Sequence, residues 1–140
     1  KSIGKIKDPS VDSAARKKIE LLAMKAVMDA EKEIGRTPKD VSATRGIGYD
    51  IESVDSNGNL FFIEVKGRVE GSETITLTYN ERQCANNAPN KFRLAISIIS
   101  DGRAGNPKYV SGIDWGRPGF ASDSENFNLT KMLTISKKPH

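Results

Sequence analysis

Apolar residues in the first quarter of the chain recur every three or four positions: Ile19, Leu22, Ala23, Ala26, Val27, Ala30 and Ile34. That spacing gathers them on one helical face. Asp12 or Ser13 supplies an N-cap, Gly35 a stop, and Pro38 a residue past the end, so a helix is predicted from about residue 12 to Ile34. Residues 1–10 are polar and basic, with Gly4 and Pro9, and read as a linker.

The period then changes from helical to extended. Ile47 to Val54 and Leu60 to Lys66 read as two strands joined through Asp55-Ser56-Asn57-Gly58-Asn59, an Asn-Gly hairpin signal in a loop longer than the minimal one. Ile75 to Thr78 reads as a third strand. Thr78-Tyr79-Asn80-Glu81 has the spacing of a capping box and opens a second helix through about Ala88. Phe92 to Ile99 is a β-branched run that reads as a largely buried strand. Beyond Ser100 the pattern thins. Tyr109-Val110 and Met132-Leu133-Thr134-Ile135 read as short strands, with a loop around Trp115 to Phe120. The order is α-β-β-β-α-β, with a core over about 11–100 and an extension over 101–140 of a single domain at 11–140.

Composition narrows the chemistry more than the fold. At 140 residues, 36% hydrophobic and 29% charged, the chain fits one globular domain with its own core. A formal charge of +4 permits nucleic-acid binding without requiring it. One cysteine, Cys84, excludes an internal disulfide, fits a reducing compartment and reads as a small buried filler. The single histidine is His140, which removes zinc fingers and histidine-dependent triads. No apolar run is long enough for a membrane span and no signal-peptide pattern opens the chain. A first residue of Lys1 rather than Met fits a fragment of a larger protein.

The candidate chemistry lies on the first predicted hairpin. Asp50 enters one strand; Glu64 and Lys66 share one face of the next, while Phe61, Ile63 and Val65 take the other. Two carboxylates can bind Mg²⁺ or Mn²⁺, and a lysine beside them can orient an attacking water or offset charge on a phosphoryl transition state. The duller reading makes Asp50 a turn cap and Glu64–Lys66 a solvated ion pair. A helix acid completes such a site in many enzymes, and Glu20, Glu31 and Glu33 are the candidates, each equally readable as solvated surface. Glu81 is either only a capping residue or, with Gln83, a secondary site residue. Arg36, Lys39, Arg45 and Arg68 can hold a phosphate backbone or simply face solvent. Trp115 and Phe120 read as core ahead of base-stacking platforms.

Four ordered blocks carry a resemblance: Glu31-Lys32-Glu33-Ile34-Gly35-Arg36, Gly48-Tyr49-Asp50-Ile51-Glu52-Ser53, Ile63-Glu64-Val65-Lys66-Gly67 and Leu77-Thr78-Tyr79-Asn80-Glu81. Over roughly residues 15–100 the chain resembles the No Vein-type C-terminal domain, itself similar to the PD-(D/E)XK nuclease superfamily and its Mrr-like restriction enzymes. The resemblance implies a restriction-endonuclease-like α/β fold of the α+β kind, a central mixed sheet flanked by helices. There the site aspartate opens the second core strand and Glu-x-Lys lies on the third, roles that fall on Asp50, Glu64 and Lys66. Glu20 matches the first-helix acid of the Mrr-like members and Glu31 the acid of the No Vein-type family. Tyr49-Asp50 stands where the superfamily has Pro-Asp. What is implied is a Mg²⁺- or Mn²⁺-dependent hydrolase of DNA, cytoplasmic and nucleic-acid associated. It would work within or beside a helicase-like ATPase, a restriction system or a phage-defence protein, with homodimerisation left open. The alternative is a non-catalytic nucleic-acid-binding module that positions an attached ATPase.

Overall fold

The computed structural model describes residues 9–117, 121 and 123–140, with side chains from Asp12 onward. Helix α1 runs from Pro9 to Glu33. It starts earlier than the capping residues suggested, because proline is well tolerated in a first helical turn. The last two residues of the expected linker are therefore helical, and residues 1–8 lie outside the described residues, as does Phe120. Ala23 and Val27 are fully buried, whereas Ile34 is exposed. Ile34 falls after the helix has ended in a Schellman turn, in which Arg36 N–H bonds Glu31 O at 2.9 Å and Gly35 N–H bonds Lys32 O at 3.1 Å.

That turn redirects the chain into a strand the hydrophobic pattern did not predict. Strand β1, Thr37–Asp40, is almost wholly polar and exposed. It is an edge strand, where a proline and a lysine are expected and protect against unwanted pairing. It pairs antiparallel with β2, Ile51–Val54, which pairs antiparallel with β3, Leu60–Val69. The expected strand from Ile47 shortens at its start because Gly46 and Gly48 adopt positive φ. Gly48 lies so close to the segment that follows Thr78 that an added Cβ would clash with the Asn80 carbonyl.

Strand β4, Thr74–Thr78, was expected in the central sheet but pairs with β8, Ser124–Asn128, in a separate two-stranded sheet. The α-β-β-β-α-β order survives because β1 supplies the strand that β4 does not. Helix α2, Tyr79–Asn87, carries the expected capping box between Thr78 and Glu81. It leads into β5, Phe92–Ser100, which runs parallel to β3. Short strands β6, Arg103–Ala104, and β7, Lys108–Val110, pair with β5. The run expected as a strand over Met132–Ile135 is instead part of helix α3, Leu129–Ile135, capped by Asn128. A short apolar run is ambiguous between the two periods; Leu129 and Met132, three apart, both face the core.

Each face of the sheet has its own core. On one, α1 packs Val27 against Ile51, Ile63, Ala95 and Tyr109. On the other, Ile75, Leu77, Phe92, Leu94, Ile96 and Trp115 join with Leu129 and Met132. The extension therefore completes both cores rather than decorating one. Gly67 lets the α1 face close: a Cβ there would meet Ala23 Cβ at 2.9 Å and the Ile19 carbonyl at 3.1 Å.

Candidate active site

Strand β3 is ten residues long and β2 only four, and the difference builds the site. The β2–β3 ladder stops at Ile51 opposite Ile63. Beyond it the β3 edge has no strand partner on that side among the described residues. Asp50 closes the gap: its backbone N–H bonds Ile63 O at 2.9 Å, and its Oδ2 accepts the freed Val65 N–H at 2.9 Å. One residue past the last pair, Asp50 and Glu64 face each other, an arrangement that costs stability when both are charged.

Lys66 follows Glu64 on the same face. Its Nζ lies 3.2 Å from Glu64 Oε2 and 3.0 Å from Glu81 Oε1. The same Glu81 atom serves the cap, since Oε1 also accepts the Thr78 N–H at 2.9 Å. Helix α2 thus starts where the lysine needs an anion.

Burial sets the electrostatics. It pushes the Asp50 carboxyl up, against the Val65 hydrogen bond and the pull of Lys66. It pushes the 4% exposed Glu64 well above the usual carboxylate range, Lys66 opposing and Asp50 and Glu81 reinforcing. For Lys66 burial alone would favour the neutral amine, but Glu64 and Glu81 together hold it above the usual lysine range.

These groups line a cleft of about 500 Å³ between α1, β3 and the start of α2. Its walls carry the acids Glu20, Asp40, Asp50, Glu64 and Glu81 against the bases Lys17, Lys66 and Arg68. Glu20 is exposed there, on the wall supplied by α1. Arg68 turns its guanidinium to Gly67 O at 2.7 Å and Thr74 O at 3.2 Å. Arg45 is exposed on an adjoining concavity of about 310 Å³, and Lys39 faces Glu52 across the β1–β2 ladder. Lys17, Asp40 and Ser42 were not anticipated, because nothing in a solvated helix face or a polar edge strand distinguishes them before the fold brings them together.

Four expected site residues lie elsewhere. Glu31 is fully buried and committed to other partners: Arg36 Nε at 2.7 Å, Arg36 Nη2 at 3.0 Å and the Tyr109 hydroxyl at 2.7 Å. The Schellman turn brings Arg36 back onto Glu31, which puts an ion pair where such turns usually make an apolar contact. Ser53 Oγ lies near this cluster without completing a hydrogen bond. Arg36, stacked 3.9 Å over the Phe61 ring, is consumed in the same network and presents nothing to a phosphate. Gln83, two positions beyond Glu81 and so on the opposite side of α2, opens onto a separate polar concavity with Asn86 and Arg117. Glu33 is exposed at the end of α1. Trp115 is core, edge-on to Phe92 and Phe127. Cys84 packs half-buried on the same core, its thiol pushed up to about 11 by burial, which keeps it protonated and unreactive.

Among the described residues no group of three or more His, Cys, Asp or Glu side chains forms a ready metal cage. The donor chemistry nevertheless fits a hard divalent cation. Asp50 and Glu64 present carboxylate oxygens to one cleft, and the acid excess on its walls leaves room for added positive charge. Among the described residues no helix is long and apolar enough to cross a membrane.

The fold is shared with Hjc, a Holliday junction resolvase from the archaeal hyperthermophile Archaeoglobus fulgidus. The TM-score is 0.53 and the identity 9%, over 81% of this chain and 94% of that one. At such identity the likeness establishes the fold alone, a restriction-endonuclease-like arrangement with a central mixed sheet flanked by helices. In this arrangement Asp50 precedes the second core strand and Glu64 and Lys66 lie on the third. No curated protein matches the sequence. Residues 19–110 match the family described as Protein NO VEIN, C-terminal, and the chain belongs to that family.

Proposed function

We propose that this domain hydrolyses phosphodiester bonds of DNA with a divalent cation, Mg²⁺ or Mn²⁺, as the nuclease module of a larger helicase, restriction or defence protein. The observation that carries the reading is the meeting of Asp50, Glu64 and Lys66 at the freed edge of β3, within a nuclease fold. Asp50 and Glu64 would hold the cation, with Glu20 the carboxylate that α1 adds to the cleft wall. A cation there supplies electrophilic polarisation of the phosphoryl group. Lys66, held between Glu64 and Glu81, keeps its ammonium beside the reacting phosphate. There it can donate a hydrogen bond to the attacking water or to the phosphoryl oxygens. Val65 N–H fixes one Asp50 oxygen and leaves the other for the cleft.

The test is cleavage of plasmid and linear DNA with Mg²⁺ or Mn²⁺ by the parent and by Asp50→Ala, Glu64→Ala and Lys66→Ala. Cation-dependent cleavage lost in all three supports the reading. Cleavage in EDTA, or unchanged cleavage by Asp50→Ala and Lys66→Ala, sinks it. Cation-independent binding of DNA that survives Asp50→Ala, without cleavage, would support the alternative of a non-catalytic binding module.

A further inference from the structure

The cleft is the middle of a longer groove. The concavity of about 310 Å³ shares Ser42, Asp50, Glu64 and Glu81 with it. On the other side a concavity of about 250 Å³ shares Glu20, Gly67 and Arg68. The two outer arms have no wall residue in common, and each joins the central cleft through its own set of shared walls. Both arms open more widely to solvent than the centre does.

Charge is sorted along this line. Outside the shared central walls, the sole charged side chain lining each arm among the described residues is an arginine: Arg45 in one, Arg16 in the other. Both are exposed, and among the described residues the side-chain partner of Arg16 is Ser13 Oγ, 3.3 Å away. Lys17, next in sequence to Arg16, and Arg68 line the central cleft, and Arg68 also lines the Arg16 arm. An acidic centre with basic ends suits a polyanion that is neutralised by a cation in the middle and by arginines on either side. On β3 the alternation of Glu64, Lys66 and Arg68 continues the same line, with successive side chains roughly 6.6 Å apart.

We propose that one nucleic-acid strand runs through the whole groove. Arg45 would hold backbone phosphates on one side of the reacting bond, and Arg16 with Lys17 those on the other. This rests on the nuclease reading above and adds that the substrate is a continuous strand, entered at neither terminus. The shared chemistry is a phosphodiester backbone, which a single strand or one strand of a duplex can present.

The experiment measures binding of a fluorescein-labelled 20-nucleotide DNA, single-stranded and as a duplex, to the Asp50→Asn protein in Mg²⁺ across a salt series. Arg16→Gln, Arg45→Gln and their double variant are compared in that background. Arg103→Gln, exposed on β6 and lining none of the three concavities, is the control. Each arm variant should lower the slope of log affinity against log salt by about 0.7 for a single strand or about 0.9 for a duplex, and the double variant by about twice that. The substrate that shows the change identifies the bound form. In the cleaving parent, a covalently closed circle should be cut as well as a linear strand. If both arm variants keep the parental affinity and slope while cleavage still depends on Asp50, the groove inference falls and the nuclease reading stands. If the parent neither binds nor cuts either DNA, both fall together.

Discussion

Lys66 and Glu81 meet at 3.0 Å, through the same Glu81 oxygen that accepts the Thr78 N–H at the start of α2. A helix cap and a site lysine therefore share one acceptor. Any change at Glu81 acts on helix stability and on the position of the ammonium at once, and the two effects can be separated by choice of side chain.

Glu81→Gln keeps an oxygen for the cap but removes the charge facing Lys66. We expect a melting temperature close to the parent's and cleavage slower by roughly tenfold, about 1.4 kcal/mol of transition-state stabilisation. Glu81→Ala should lose about 1 kcal/mol of stability as well. Thermal melts beside cleavage rates check this, and equal rates for the parent and Glu81→Gln would remove Lys66 positioning from the account.

Crowding of Asp50, Glu64 and Glu81 around one lysine makes the cation-free domain electrostatically strained. Either Asp50→Asn or Glu64→Gln should raise its melting temperature in EDTA. Mg²⁺ or Mn²⁺ should stabilise the parent by mass action, about 2.7 kcal/mol at a hundredfold excess over Kd. The shift should vanish in both variants. A cation-induced shift of the same size in Glu64→Gln would place the ion elsewhere.

Glu31 belongs to stability rather than to the cleft. Glu31→Ala leaves the 9% exposed Arg36 without its anion, and we expect a loss of about 3–5 kcal/mol in urea denaturation. Burial alone would raise the Glu31 carboxyl, but Arg36 and Tyr109 outweigh it and hold it below the ordinary 4.5. A lowered folded pKa means the contribution is complete above pH 4.5 and is lost as pH falls through the folded value. Stability of the parent should therefore drop below pH 4.5, and Glu31→Gln should show a shallower acid limb. Parallel acid limbs would sever the network from acid stability.

Gly67→Ala tests the contact between α1 and β3. The new methyl would press on Ala23 and on the Ile19 backbone, which cannot move as a side-chain end can. We expect about 1–3 kcal/mol of destabilisation, with reduced cleavage because the α1 wall of the cleft carries Lys17 and Glu20. Unchanged stability would show that the helix can back away without cost.

The sequence by itself determined the elements whose local chemistry agrees with their final state. Helix α1, the β2–β3 hairpin, the Thr78 capping box and β5 were legible because periodicity, caps and turns are written in neighbouring residues. So was the convergence of Asp50, Glu64 and Lys66 in the candidate site, since alternation along β3 sets Glu64 and Lys66 on one face and the hairpin brings Asp50 to them. What only tertiary structure decided involves partners distant in sequence. Thr37–Asp40 is a strand because β2 offers it a ladder, not because of any apolar pattern of its own. Thr74–Thr78 left the main sheet because β8, some fifty residues later, pairs with it. Met132–Ile135 is helical because Met132 meets the core together with Leu129, three residues earlier. Glu31 and Glu20 looked alike on one helix; a Schellman turn returned Arg36 to Glu31, and a strand that outlasted its neighbour opened the cleft beside Glu20. Local sequence carries the first kind of information because the interacting groups are adjacent. The second kind depends on which distant surfaces come to be buried together.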